Sequence, residues 1–314
     1  MKLLFLTQDL ISTMSELVGN VSNTVEAVAK PYDIAFPHLN IFISGLRNTF
    51  KIGNFTIAYY GVIIAIGMLV AFYVSNKVAQ KLGVSDDTVY DLFIICVVCG
   101  IIGARAYYVI FRWDYYQIRP YEILDIRAGG LAIFGGIILS IIGIFVYCYV
   151  KKISFLKIID VVSFGLVIGQ AIGRYGNFFN MEAFGGYTDN LFAMRMRTDY
   201  LDQSNITFDQ AMNVIEENGL RYIQAHPTFF YESTLNIILF IIMIYIFSKH
   251  YKFNGQMMST YLIGYGFIRF FVESLRTDSL MFYNFKISQI VAIVCVLVGI
   301  VAYIQYYRKK KNDI

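Results

Sequence analysis

Gly130-Leu131-Ala132-Ile133-Phe134-Gly135-Gly136-Ile137-Ile138-Leu139-Ser140-Ile141-Ile142-Gly143-Ile144-Phe145-Val146-Tyr147-Cys148-Tyr149-Val150 holds no charged side chain and ends against Lys151-Lys152. As a helix rising 1.5 Å per residue, this run matches the roughly 30 Å hydrocarbon layer of a bilayer. Comparable runs recur at about 55–76, 88–111, 155–178, 228–248, 257–275 and 285–306. Composition agrees: 57% of the chain is hydrophobic, 15% is charged, and the mean hydropathy is +0.57. A soluble globular domain would not keep that balance in water. With only 4 Pro, the spans read as helices, which satisfy their backbone polar groups internally. The expected class is an all-α polytopic membrane protein with seven transmembrane helices. A net charge of +4 on such a chain records orientation, and no nucleic-acid partner is expected.

Seven spans put the termini on opposite sides. Lys77 and Lys81, Lys151-Lys152, Lys249 and Lys252, and the tail Arg308-Lys309-Lys310-Lys311 all fall on one side, which the positive-inside rule makes cytoplasmic. The N-terminus, the loop with Arg112 and Arg119, and the polar segment 180–227 are then extracytoplasmic, and 180–227 should form a small head of short strands and a helix. Residues 1–35 read as an amphipathic extension, with Leu10, Met14, Leu17, Val18, Val21, Val25 and Val28 at helical spacing. The run Leu3-Leu4-Phe5-Leu6 is too short for a signal core. Residues 36–306 form the membrane domain and 307–314 a basic cytoplasmic tail. No internal repeat supports a transporter built of inverted halves.

Cys96, Cys99, Cys148 and Cys295 all lie within spans. Without further Cys or His beside Cys96-Val97-Val98-Cys99, they read as small buried hydrophobes and no metal is expected. Charges within spans are different, since one near the bilayer centre costs roughly 2.5–3.5 kcal/mol even on insertion scales. Arg105, Arg174 and Arg269 sit on three spans, toward the outer half of each, among glycines that let helices approach. They could converge on a cavity holding a lipid phosphate, which suits the planar fork of arginine. Glu182, Glu232 and Glu273 could instead pair with them and tie helices together.

The densest polar stretch is Gly165 to Gly186. Arg174 and Asn177, three apart, share a helix face there. His226-Pro227-Thr228 opens the fifth span with Pro near its first turn and Thr228 within capping reach. His226 is the histidine placed for outer-leaflet chemistry, although a lone His at a helix start also serves as a cap. Tyr60 in Tyr59-Tyr60-Gly61 faces a glycine near the outer end of the first span.

Taken together, Gly173-Arg174-Tyr175-Gly176-Asn177-Phe178-Phe179-Asn180-Met181-Glu182-Ala183-Phe184-Gly185 resembles the G-R-x-G-N-F-x-N-x-E-x-x-G signature of the prolipoprotein diacylglyceryl transferase family. Further matching stretches are Tyr59-Tyr60-Gly61, Gly103-Ala104-Arg105, Gly129 to Gly136, His226 to Glu232 and Arg269 to Arg276. The resemblance covers about residues 36–306. It implies a multi-pass enzyme of the bacterial inner (plasma) membrane that moves a diacylglyceryl group from phosphatidylglycerol to the lipobox cysteine of prolipoprotein signal peptides. A thioether forms and glycerol phosphate leaves, without metal or organic cofactor. Carried over, it points to Tyr60, Arg174, Asn177, Gly185 and Arg269 as essential, with Arg105, Asn180, Glu182, His226, Glu232, Glu273 and Arg276 in support.

Where many family members have a His in the third-span motif, this chain has Phe134, which cannot move a proton. Glu232 and His226 are the candidates for taking the thiol's proton. Positive charge must meet the departing phosphate, and Arg174 and Arg269 are the groups expected to supply it. Two other classes compete. An alcohol phosphotransferase would show an aspartate-rich metal motif, which this chain lacks. A non-catalytic phospholipid carrier or channel would share the arginine pocket and consume nothing.

Overall fold

A computed structural model describes residues 31–126 and 129–312. The amphipathic helix expected across Leu10 to Val28 lies outside these residues. The described residues divide into two compact units, one of residues 31–47 and 184–227, the other of residues 48–126, 129–183 and 228–312.

The first unit contains a five-stranded antiparallel sheet in the order β2-β1-β5-β7-β6. Its strands are β1 (Ile34–Phe36), β2 (Ile41–Ile43), β5 (Met194–Arg197), β6 (Ile215–Glu217) and β7 (Leu220–Ala225). The period-two rule is visible in β5: Met194 and Met196 are buried while Arg195 and Arg197 face the other way. Asn218-Gly219, both in the left-handed region, turn β6 into β7 as this dipeptide favours. Tyr32 stacks on Tyr222 and donates to Glu217, and burial pushes its hydroxyl up to about 12. Thr207 and Gln210 form a capping box at the short helix Phe208–Met212. The strands β5 to β7 and the short helix lie in the segment expected to hold short strands and a helix, while the pairing of β1 with β5 joins residues that no local pattern connects.

The second unit is helical: α1 (Tyr59–Lys81), α2 (Asp86–Phe111), α3 (Ile133–Lys151), α4 (Phe155–Asn180), α5 (Thr228–His250), α6 (Gln256–Leu275) and α7 (Ile287–Asn312). Two hairpins precede helices at one end of the unit, β3 (Thr49–Ile52) with β4 (Phe55–Ala58) before α1, and β8 (Met281–Phe282) with β9 (Phe285–Lys286) before α7. The first predicted span therefore begins four residues late, because the Gly53 turn, at φ +59°, pairs Ile52 with Phe55 before the helix can start.

Among the described residues, six helices are long and apolar enough to cross a membrane: α1 to α5 and, in α7, Ile287–Arg308. The exception is α6, whose inward face carries Tyr261, Tyr265, Arg269 and Glu273 at four-residue spacing. Glycines set the closest approaches. A Cβ on Gly103 would lie 2.4 Å from the Gly135 carbonyl, so α2 and α3 touch backbone to backbone. Below the polar end, Phe164, Ile158, Met243 and Met257 are fully buried in one apolar cluster. Asp160 is buried beside that cluster and accepts from the backbone N–H groups of Gly255 (2.6 Å) and Met258 (2.9 Å) and from Tyr251 (2.9 Å). It caps the start of α6 from a neighbouring helix, satisfying donors that a helix terminus leaves free.

Candidate active site

Glu232, on the first turns of α5, is 1% exposed, which demands compensating partners in an apolar surround. It has three. Its Oε1 accepts from Arg174 at 2.8 Å and from the Tyr265 hydroxyl at 3.3 Å, and its Oε2 accepts from Arg269 at 3.1 Å. One carboxylate thus bridges guanidinium groups from α4 and α6. Arg269 continues to Glu273, with Nη2 2.7 Å from Oε2 though poorly aligned for a hydrogen bond, and to Ser288 Oγ at 3.3 Å. Arg276 forks onto Asp278 with two 3.0 Å bonds and lies 3.9 Å from Glu273.

Arg174 also donates to Asn177 Oδ1 at 3.1 Å, the three-residue spacing expected on a helix face. Asn177 and Asn180 in turn donate to Glu182, at 2.9 and 3.3 Å. Glu182 therefore organises two amides instead of pairing with an arginine. Tyr60 packs over Gly176, where an added Cβ would come within 2.5 Å of its ring. Tyr60, Arg174 and Asn177 line one end of a cavity of about 560 Å³ that continues between α1, α2 and α4 past Gly67, Ala71 and Phe93 to Ser75 and Val89. Beyond that polar end the lining is mostly apolar, with Ile64, Met68, Phe72, Leu92 and Leu166.

Arg105 does not join this cluster. It donates to the carbonyls of Glu122, Ile123, Asp125, Gly129 and Gly130 at 2.6–3.1 Å and lies over the Tyr116 ring. It lines a separate cavity, of about 280 Å³. The convergence expected of three arginines is thus a convergence of two. The third has its donors committed to a loop, and Gly130, at φ +75°, is the residue whose backbone that fork approaches. Gly185 and His226 belong to the first unit, bonded to each other through Gly185 N–H to His226 C=O at 2.9 Å. Burial lowers the His226 imidazole below its ordinary value. The Thr228 hydroxyl, expected near a cap, donates to the Ala183 carbonyl.

Sequence reasoning missed Tyr265, Ser288 and Asp160. Tyr265 was legible, being four residues before Arg269 on the same face; Ser288 and Asp160 act across helices and left no local pattern.

A family model described as prolipoprotein diacylglyceryl transferase matches residues 47–305. Proteins named phosphatidylglycerol–prolipoprotein diacylglyceryl transferase are similar over most of their length. The one from Finegoldia magna is 40% identical over 263 residues, covering 84% of this chain and 96% of the relative. That from Clostridioides difficile is 37% identical over 268 residues, covering 85% and 98%. One of that name, numbered 1, from Clostridium perfringens is 41% identical over 258 residues, covering 81% and 92%.

Proposed function

The chain belongs to the prolipoprotein diacylglyceryl transferase family, and on that premise we propose that its Arg174–Glu232–Arg269 bridge holds the phosphate of phosphatidylglycerol during transfer. The transferase moves the diacylglyceryl group from that lipid to a prolipoprotein thiol, the first step of lipoprotein maturation. The acceptor is the lipobox cysteine of the signal peptide. The lipid's chains lie along Gly67, Ala71 and Phe93, while Tyr60 and Asn177 orient its headgroup. Asn180 and Glu182 support that headgroup end. Support comes from one observation above all: a fully buried carboxylate shared by two arginines beside a cavity that is polar at one end and apolar along its length.

In the reaction, the substrate's sulfur forms a bond to the terminal glyceryl carbon as that carbon's bond to the phosphate oxygen breaks. The electron pair leaves with glycerol phosphate. Arg174 and Arg269 meet the charge as it appears, and their positive field favours the thiolate. The thiol's proton goes to the departing phosphate monoester, whose second pKa is about 6. Both oxygens of Glu232 are engaged, so its role is to position the two guanidinia. Arg105 shapes the outer loop, while Glu273 and Arg276 steady the Arg269 side.

The proposed topology has seven spans, α6 included, in the bacterial inner (plasma) membrane, with the N-terminus outside and the C-terminus inside. A 20-residue helix is about 30 Å long, and the polar face of α6 is turned to Glu232 rather than to lipid. The test is transfer of labelled diacylglyceryl from phosphatidylglycerol to a lipobox peptide by purified protein, with and without chelator, beside Arg174→Glu. Chelator-resistant product with the parent and none with the variant is expected. Undiminished transfer by Arg174→Glu would sink the assignment.

A further inference from the structure

Lys286 closes β9 immediately before α7. Its ammonium donates to the carbonyls of Glu273 at 2.7 Å, Ser274 at 3.3 Å and Arg276 at 2.7 Å. These carbonyls lie at the C-terminal end of α6 and on its cap, where positive charge is favoured, and the Glu273 carbonyl also accepts the Arg276 N–H at 3.2 Å. Two residues later, Ser288 Oγ accepts from Arg269 Nη2 at 3.3 Å, and Gln289 donates to the Phe270 carbonyl at 3.2 Å. Three side chains within four residues therefore reach from the β9–α7 junction onto the turns of α6 that carry Arg269. Among the described residues, neither Lys286 nor Ser288 lines the 560 Å³ cavity. They touch α6 and the Arg269 guanidinium.

We propose that Lys286, assisted by Ser288, is a positioning residue for transfer: it fixes the end of α6 so that the Arg269 fork is held at the angle the departing phosphate requires. This rests on the role given to Arg269 above. A planar fork pre-set by Glu232 on one side and Ser288 on the other gains most from such fixing, because its two donors must both be aligned to act together. A displacement of about 1 Å in a positioned group can cost on the order of 100-fold in rate. Lysine suits the task because three donors on a flexible stem can satisfy three carbonyls that diverge from a helix end.

The test compares the full-length protein with Lys286→Met, Lys286→Arg, Ser288→Ala, Arg269→Lys and the double variant Lys286→Met/Arg269→Lys. Rates are expressed per folded molecule, with Tm measured in the same detergent. Lys286→Met should lose roughly 10- to 100-fold in kcat, with KM for phosphatidylglycerol within about threefold of the parent. Lys286→Arg should recover most of that rate. Ser288→Ala, which removes only a hydroxyl, should lose several-fold in kcat with Tm unchanged, and serves if Lys286→Met does not fold. The double variant should be scarcely slower than Arg269→Lys, because Lys286 acts through Arg269. Equal rates per folded molecule, or losses that multiply in the double variant, would overturn the proposal. Absence of transfer by the parent protein would instead overturn the functional reading itself, and the parent lane alone reports that.

Discussion

At the scale of single residues, Glu232 is a buried charge that its partners must compensate. Two guanidinia at 2.8 and 3.1 Å make its charge tolerable at 1% exposure, and it makes theirs tolerable in turn. Glu232→Gln keeps the shape and removes the charge. Because breaking a buried pair strands the partner, it should destabilise by about 3–5 kcal/mol and slow transfer, read by thermal unfolding in detergent beside the labelled-lipid assay. A variant with parental Tm and rate would contradict the bridge. Gly176 makes a subtler claim. Alanine there places a Cβ 2.5 Å from Tyr60, whereas Gly61→Ala meets nothing within 4 Å. Gly176→Ala should cost about 1–3 kcal/mol through overpacking and raise KM for phosphatidylglycerol, with Gly61→Ala near parental in both measurements.

Elements tell how those residues are held in place. α6 owes its start to Asp160, a side chain from α4, and its end to Lys286, from the strand before α7. Arg269 thus sits on a helix pinned at both termini by residues distant in sequence. Asp160→Ala leaves the Gly255 and Met258 N–H groups without their acceptor, while the Tyr251 hydroxyl keeps Asn254 Oδ1, and should destabilise by about 1–3 kcal/mol, measured as a lower Tm. In the sheet unit, the folded state holds His226 with a depressed pKa because its ring is desolvated. The unfolded chain therefore takes up the proton first as acidity rises, near its ordinary value of about 6.5. Stability of this unit should be flat above that pH and fall below it. His226→Gln should flatten the acid side, as followed by hydrogen exchange of the β7 amides.

For the whole molecule, the proposed orientation rests on the distribution of lysines and the positive-inside rule. Single cysteines in a background without native ones report it. Asn54→Cys and Asp202→Cys should react with a membrane-impermeant maleimide on intact cells, and Asn254→Cys only after lysis; the reverse pattern would invert the topology. Much of this level was legible in the sequence. Hydropathy is summed over consecutive residues, so all of the helices α1 to α7 could be found without knowing their neighbours, α6 at 257–275 among them. The polar face of α6 is what keeps it below the same apolar criterion. The 173–185 stretch announced its family for a similar reason, since its chemistry is concentrated in one helix end and the turn after it.

What the chain determines by itself is its solvent, its helices and its family, all written in contiguous residues. Which carboxylate meets which arginine was decided only in three dimensions. Glu232 lies 58 residues from Arg174 and 37 from Arg269, Arg105 has its five donors on one loop, and β1 pairs with β5 although the helices α1 to α4 lie between them in the sequence. Periodicity shows which side of a helix is polar. It carries no information about the rotation and depth at which two helices meet, because these are set by packing of glycines and side chains between them.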